Sequence, residues 1–384
     1  MTNKAAAGGR SGGRRLWFSI HNWIGILLAA LIIPISLSGS ALVWHDWLDE
    51  TLNPGRYAVR GDAPAAAPGA LAAAAAGYLA EGERIASIRM PEHPGGPVLV
   101  SAARAPDPTA RSGARPVRTN LWLDPADGRL LDRARSDEGA VRFLHVLHGS
   151  LMVPGVGRQI VGWIGVAMLI SSLTGFYLWW PVTGSWRRGL RWKRQTAISA
   201  NLHHQTGFWI VIPLAMLSFT GVWISFPAFF GALSGAPAGG GPGRQPPARP
   251  IAETRLTADQ ALAAARPRAD GRLISITLPT DKAADWKLSF EREGSPAEVE
   301  VADLSGAVTP PKPARAEPIA RTMRRWHDGT GMGAVWQVII FVGGIIPALL
   351  AVTGIMMWLN TRRWRSDVDR RRRRKRTEAM QPAE

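Results

Sequence analysis

Asn22 to Trp44 reads NWIGILLAALIIPISLSGSALVW, an unbroken run without a charge. A helix needs about 20 apolar residues to cross the hydrocarbon core of a bilayer, so this run predicts a membrane span. Three further uncharged runs, Gln159 to Ser185, Thr206 to Ser234 and Gly329 to Thr361, are as long or longer. Lipid offers no partner to free backbone N–H and C=O groups, which leaves helices and closed barrels; continuous Leu, Ile and Ala select helices. The first run is too long for a signal peptide and ends in Trp44-His45-Asp46-Trp47 rather than small residues, so it reads as a retained anchor. Tryptophans at the ends of the runs (Trp17, Trp23, Trp44, Trp47, Trp179, Trp180, Trp358, Trp364) form the aromatic belts expected at the two interfaces.

Between the runs the charge is segregated. The net charge is +17. Almost all of it lies in the N-terminal arm, the loop from Arg187 to Arg194 and the tail from Arg362, whereas 46–142 and 231–328 are near neutral. The positive-inside rule then predicts both termini in the cytoplasm and both long segments outside. The basic tail reads as a topology signal, and no nucleic-acid partner is expected. The chain has no cysteine, which excludes disulfides, thiolate metal sites and covalently attached haem.

A phrase recurs near the end of each run: Ser36-Leu37-Ser38-Gly39, Ser172-Leu173-Thr174-Gly175, Ser218-Phe219-Thr220-Gly221 and Ala351-Val352-Thr353-Gly354. His21 precedes Gly39 by 18 residues, as His203 precedes Gly221; His148 precedes Gly175 by 27, as His327 precedes Gly354. The outward segments echo each other too, Arg84 to Pro91 with Arg272 to Pro279 and the turn at Asp124 with that at Asp303. Each reads as an Ala-rich helix followed by alternating strands. The expected fold is thus an α-helical membrane protein, four transmembrane helices in an internally duplicated bundle with two small α+β domains. The expected segments are a basic arm (1–16), helix one (17–45), the first outward domain (46–142), a juxtamembrane segment with helix two (143–181) and a basic loop (182–202). Helix three (203–230), a Gly/Pro linker (231–250), the second outward domain (251–325), a juxtamembrane segment with helix four (326–360) and a basic tail (361–384) follow.

Eighteen helical residues span about 27 Å, so the histidines fall into two layers, one per membrane face. Duplication supplies each layer from both halves: His21 with His203 inside, His148 with His327 outside. Two neutral imidazoles on facing helices are a natural axial pair for a non-covalently held haem iron, and ionisable groups in a membrane are expensive enough to point to function. Interfacial anchoring of helix ends is the plainer use of the same residues. His204, out of register with His21, is an alternative ligand or a propionate partner, and His145, one turn before His148, an alternative ligand or an orienting neighbour. His45 has no counterpart and is assigned to substrate or proton transfer; His93 reads as a surface residue. Gly39, Gly175, Gly221 and Gly354 give haem clearance or helix packing, while their hydroxyl neighbours bond back to the helix. Among the outward arginines, Arg111, Arg115, Arg118, Arg321, Arg324 and Arg325 form either a solvated face or a seat for an anion.

The motifs His21-Asn22-Trp23-Ile24-Gly25, Leu147-His148-Gly149-Ser150-Leu151, Leu173-Thr174-Gly175-Phe176-Tyr177-Leu178-Trp179-Trp180-Pro181, Leu202-His203-His204-Gln205-Thr206-Gly207 and Val352-Thr353-Gly354 resemble the PepSY-associated transmembrane family. This family, also called iron-regulated membrane proteins, includes siderophore-linked ferric reductases. The resemblance implies a multi-pass bacterial inner-membrane protein with PepSY-like periplasmic domains. It also implies two haem b groups on His21, His203, His148 and His327, a quinol or flavoprotein electron donor, and a ferric siderophore or other periplasmic iron chelate as acceptor. A haem-free regulator or binding module for a peptidase and a siderophore permease component are the alternatives.

Overall fold

The structure, a computed structural model, describes residues 4–61, 65–104, 117–180, 185–192, 195–234, 248–292, 295–309 and 319–379. Most of the predicted Gly/Pro linker, with Arg111 and Arg115, lies outside the described residues. The chain divides into two compact units: Met1–Trp44, Leu144–Gly235 and Pro318–Glu384 form one, His45–Phe143 and Ala236–Glu317 the other.

In chain order the helices are α1 (Lys4–Val43), α2 (His45–Leu52), α3 (Pro68–Ala76), α4 (Ala140–Ser150), α5 (Gly157–Trp179) and α6 (Trp186–Gly189). They continue with α7 (Ile198–Ser225), α8 (Pro227–Leu233), α9 (Ala258–Ala265), α10 (Ile319–Asp328) and α11 (Gly333–Ala379). Four of them, α1, α5, α7 and α11, are long and apolar enough to cross a membrane. α1 packs on α5 and α11, and α7 on the same two, closing a ring in which chain neighbours run antiparallel. Close approach is bought by small residues: a Cβ on Gly162 would lie 2.6 Å from the Phe226 ring, and one on Gly165 3.0 Å from Val222. Ser40 donates to the Phe341 carbonyl at 2.9 Å, tying α1 to α11.

The helix ends depart from expectation. α7 starts at Ile198 and stops at Ser225, because Pro227 has no N–H to give and holds Phe226 out of the helical region at φ −114°, ψ 60°. The helix α11 continues through the basic stretch expected as a tail; 361–379 contains neither Gly nor Pro and is rich in good helix formers. After α4 the chain turns through Leu151 and Met152, both left-handed at φ 51° and 61°. Leu151 packs on the bundle core, whereas Met152 is exposed. Left-handed backbone costs an L-residue roughly 1–2 kcal/mol. Met152→Gly is therefore expected to stabilise the chain by about 1 kcal/mol and raise its melting temperature by a few degrees, whereas Met152→Ala gives no gain.

The second unit is built on one antiparallel sheet of eight strands in the order β4-β3-β2-β1-β5-β6-β7-β8. These are β1 (Glu83–Arg89), β2 (Val98–Arg104), β3 (Arg118–Leu123), β4 (Leu130–Arg135), β5 (Arg272–Thr277), β6 (Asp285–Arg292), β7 (Ser295–Ala302) and β8 (Val308–Thr309). The two α+β segments thus share a single sheet rather than forming separate ones. β1 and β5, each a potential open edge, pair antiparallel (Ser87 with Thr277, Ile88 with Ile276) and remove two edges at once. Alternation puts Val98, Val100 and Ala102 of β2, and Trp286, Leu288 and Phe290 of β6, on the buried face beneath α3 and α9. A capping box starts α9, Thr257 and Gln260 each accepting from the other's backbone N–H.

Two buried aspartates organise this unit. Asp124 accepts hydrogen bonds from the backbone of Arg60 and Ala126 and from the Arg129 guanidinium. Asp303 accepts from the backbone of Arg255 and Leu256 and from the Trp286 indole. Each carboxylate thereby pins the segment leading towards its Ala-rich helix onto a sheet turn.

Candidate functional site

Each of the four repeated glycines leaves a gap in its helix, and each gap holds a histidine ring. A Cβ on Gly175 of α5 would lie 2.9 Å from Cε1 of His21 on α1; one on Gly39 of α1 would lie 2.6 Å from Cε1 of His148 on α4. Gly221 of α7 faces His327 on α10 at 3.2 Å, and Gly354 of α11 faces His203 on α7 at 3.6 Å. The space read from sequence as haem clearance or helix packing is therefore filled by imidazole itself, since only a residue without Cβ lets a ring lie on the helix backbone.

The same phrase supplies the hydrogen-bond acceptor. His148 Nδ1–H donates to the Ile35 carbonyl at 2.9 Å and His21 Nδ1–H to the Ser171 carbonyl at 3.0 Å, in each case the residue four before the glycine. His203 and His327 donate to the hydroxyls of Thr353 and Thr220, both at 3.0 Å, beside the backbone of Leu350 and Leu217 at the same register. Thr174 adds a contact to His21 at 3.2 Å. These hydroxyls bond back to their own helix, as Thr174 does to Ile170, Thr220 to Met216 and Thr353 to Leu349. With its proton donated backwards, each hydroxyl oxygen is left as an acceptor for an imidazole N–H. Sequence reading assigned them the back-bond alone; the hydroxyl standing immediately before every glycine was the signal that they do more.

An acceptor at Nδ1 fixes the neutral tautomer with its lone pair on Nε2. Among the described residues none of the four Nε2 atoms is hydrogen bonded. Across the bundle the rings meet in couples. The centroids of His21 and His203 lie 6.2 Å apart with planes at 83°, and those of His148 and His327 lie 5.9 Å apart with planes at 39°. Each couple takes one ring from each half of the chain.

A family model described as the PepSY-associated TM region matches residues 18–361. The chain belongs to the PepSY-associated transmembrane family. No curated protein matches it. Four apolar helices within this PepSY-associated chain make it a multi-pass membrane protein, with the lipid bilayer as its surroundings.

In this family member the His21–His203 couple opens on a cavity of about 500 Å³, walled by all four spans and reaching from Pro347 to Arg365 along α11. His204 lines it, its ring 6.4 Å from that of His203 and edge-on to it. His145 stands one turn before His148 on α4 and is near enough to interact with it electrostatically. His45 begins α2 in the other unit, its Nε2 3.3 Å from Asp46. The exposed His93 lines an open pocket of about 520 Å³ with Arg272 and Glu291, also in that unit. Arg118 opens β3, while Arg325 holds the carbonyls of Thr330 and Gly331 after α10, a loop-ordering role.

Proposed function

We propose that this protein is a di-haem electron carrier of the bacterial inner membrane, taking electrons from a quinol or flavoprotein and reducing a periplasmic ferric siderophore or similar iron chelate. One observation carries the reading: two cross-bundle histidine couples, each with both Nδ1 atoms satisfied and both Nε2 atoms left over. Two imidazoles on opposite faces of one iron, each bonded at about 2 Å, hold their ring centres roughly 6 Å apart, which is the spacing of both couples. A bare metal ion would need more donors, and among the described residues no group of three or more His, Cys, Asp or Glu is assembled to hold one. A two-imidazole set suits an iron that brings four in-plane nitrogens of its own. The cavity beside the inner couple adds a buried hydroxyl, Ser172, with no hydrogen-bond partner in the protein.

On this reading the chain is an internal duplication with its termini and basic segments in the cytoplasm and its sheet unit in the periplasm, in line with the charge asymmetry. When bound, haem at each couple supplies a one-electron Fe(III)/Fe(II) exchange. His21 and His203 hold the inner group, His148 and His327 the outer one. Glycine seats and Nδ1 hydrogen bonds hold each ring in one tautomer and orientation, with Nε2 left to hold iron, and the carbonyl partners of His21 and His148 would increase the basicity of Nε2.

The test is the absorption spectrum of the purified chain expressed with ample haem. A Soret band with sharp α and β bands of a low-spin bis-imidazole iron is expected, at two haems per chain. Single His21→Ala or His203→Ala variants lose one haem, and His148→Ala or His327→Ala lose the other, each halving the Soret absorbance. A colourless protein overturns the proposal and leaves a haem-free regulator or a permease component in its place.

A further inference from the structure

The cavity beside His21 and His203 is not uniform along its length. α11 lines it with Pro347, Ala351, Gly354, Trp358, Arg362 and Arg365, positions three and four apart that share one helix face. Around Pro347 the facing wall is apolar, with Ile32, Val211 and Leu214. Towards Arg365 the facing wall gains the polar Asn22 and His204 beside aromatic Phe18, Trp23 and Trp179. Arg362 and Arg365 are its permanently charged lining residues, and no carboxylate lines it. The Arg362 guanidinium lies over the Trp358 ring, 4.7 Å from its centre, which steadies it against the cavity wall.

A slot with an apolar body and two cations at one end selects a ligand of matching make-up. We infer that this cavity binds a flat apolar molecule by one dicarboxylate edge, with Arg362 and Arg365 pairing the carboxylates. Arg362 lies eight residues beyond Gly354, about 12 Å along the helix axis from the turn that seats His203. That interval suits a macrocycle edge met by an arginine side chain. The inference rests on the electron-transfer reading, under which the molecule is the inner haem and the carboxylates are its propionates. It adds that the inner group enters in one orientation, with the charged edge towards the basic end of α11.

The experiment titrates the haem-stripped full chain with haemin and with haemin dimethyl ester, in a His327→Ala background so that the inner couple alone is read. The parent is expected to bind the free acid about 10- to 100-fold more tightly than the diester, as two charge-assisted contacts imply. Arg362→Gln with Arg365→Gln removes that preference by weakening the free acid and leaves the diester unchanged. Arg370→Gln with Arg371→Gln, further along the same helix, leaves both affinities as they were. Without the His327→Ala background, the Arg362/Arg365 variant is expected to weaken one of two free-acid binding steps. Equal binding of acid and diester by the parent, or an equal loss of both in the Arg362/Arg365 variant, overturns the inference while the electron-transfer reading stands. Binding of neither compound by the parent and by the unsubstituted chain overturns that reading and this one together.

Discussion

On the proposed haem reading, Gly39→Ala is expected to abolish haem binding at the His148–His327 couple, whereas Gly354→Ala leaves binding at both couples intact. The added Cβ on Gly39 would sit 2.6 Å from Cε1 and 2.8 Å from Nδ1 of His148. That ring cannot retreat without giving up its 2.9 Å bond to the Ile35 carbonyl, so α4 itself must shift. Overpacking of this kind costs about 1–3 kcal/mol, and here the strain falls on the His148 ring itself. At Gly354 the Cβ would lie 3.6 Å from His203, an ordinary van der Waals contact, and replacing a helix-interior glycine by alanine returns up to roughly 1 kcal/mol. Gly175 at 2.9 Å and Gly221 at 3.2 Å should fall between the two, in that order. Haem content per chain across the four variants checks the series. Equal losses at all four positions, or a loss at Gly354 exceeding that at Gly39, would mean that the glycines do not act by seating the rings.

Asp303→Ala is expected to cost the sheet unit about 3–5 kcal/mol. The carboxylate is 3 % exposed and satisfies three donors at 2.8–3.1 Å, one of them the indole N–H of Trp286, itself buried in the core. Removing it strands all three at once, and each stranded donor costs on the order of 1–3 kcal/mol. Burial acts to raise the Asp303 carboxyl pKa, but hydrogen bonds from Arg255, Trp286 and Leu256 outweigh it and hold the group below the ordinary aspartate range. Asp124 is shifted the same way for the same reasons, with Arg60, Ala126 and Arg129 as donors. A carboxyl whose folded pKa is depressed contributes stability that is fully present above its unfolded value, near 4, and is lost as pH falls through the folded value. Acid unfolding below about pH 4, followed by amide hydrogen exchange of β5, β6 and β7 in the full chain, should therefore be shallower in Asp303→Asn than in the parent. An unchanged acid profile in that variant would show that the aspartate does not carry the pH dependence.

The spans and the grouping of histidines were legible because both rest on one-dimensional quantities. Apolar length predicts a crossing, and the shared offsets of His21 and His203 from Gly39 and Gly221 predict a shared layer. What lies across a helix face is not a one-dimensional quantity. Nothing in Ser172-Leu173-Thr174-Gly175 says that the ring filling its gap comes from α1, so the glycines were read as haem clearance or helix packing and the threonines as self-bonded. Joining β1 to β5 was hidden for a related reason: the two segments read as separate α+β domains, and pairing between them depends on register between strands far apart in the chain. Pro227 did carry the end of α7 in plain view, but a run of apolar residues on either side, Trp223 to Phe226 and Ala228 to Phe230, masked the break.

The separation of the two histidine layers has an energetic meaning for a living cell. Eighteen residues of helix, about 27 Å, nearly match the roughly 30 Å of hydrocarbon that carries the electrical potential of an energised membrane. On the proposed outward direction, an electron passing from the inner layer to the outer one leaves the negative side for the positive. It would gain close to the full 2.3 kcal/mol or so available per 100 mV. Respiration would thus drive the transfer without any change in the cofactors, and collapsing the potential with an uncoupler would slow delivery to the far side while leaving the spectrum of the resting protein unaltered.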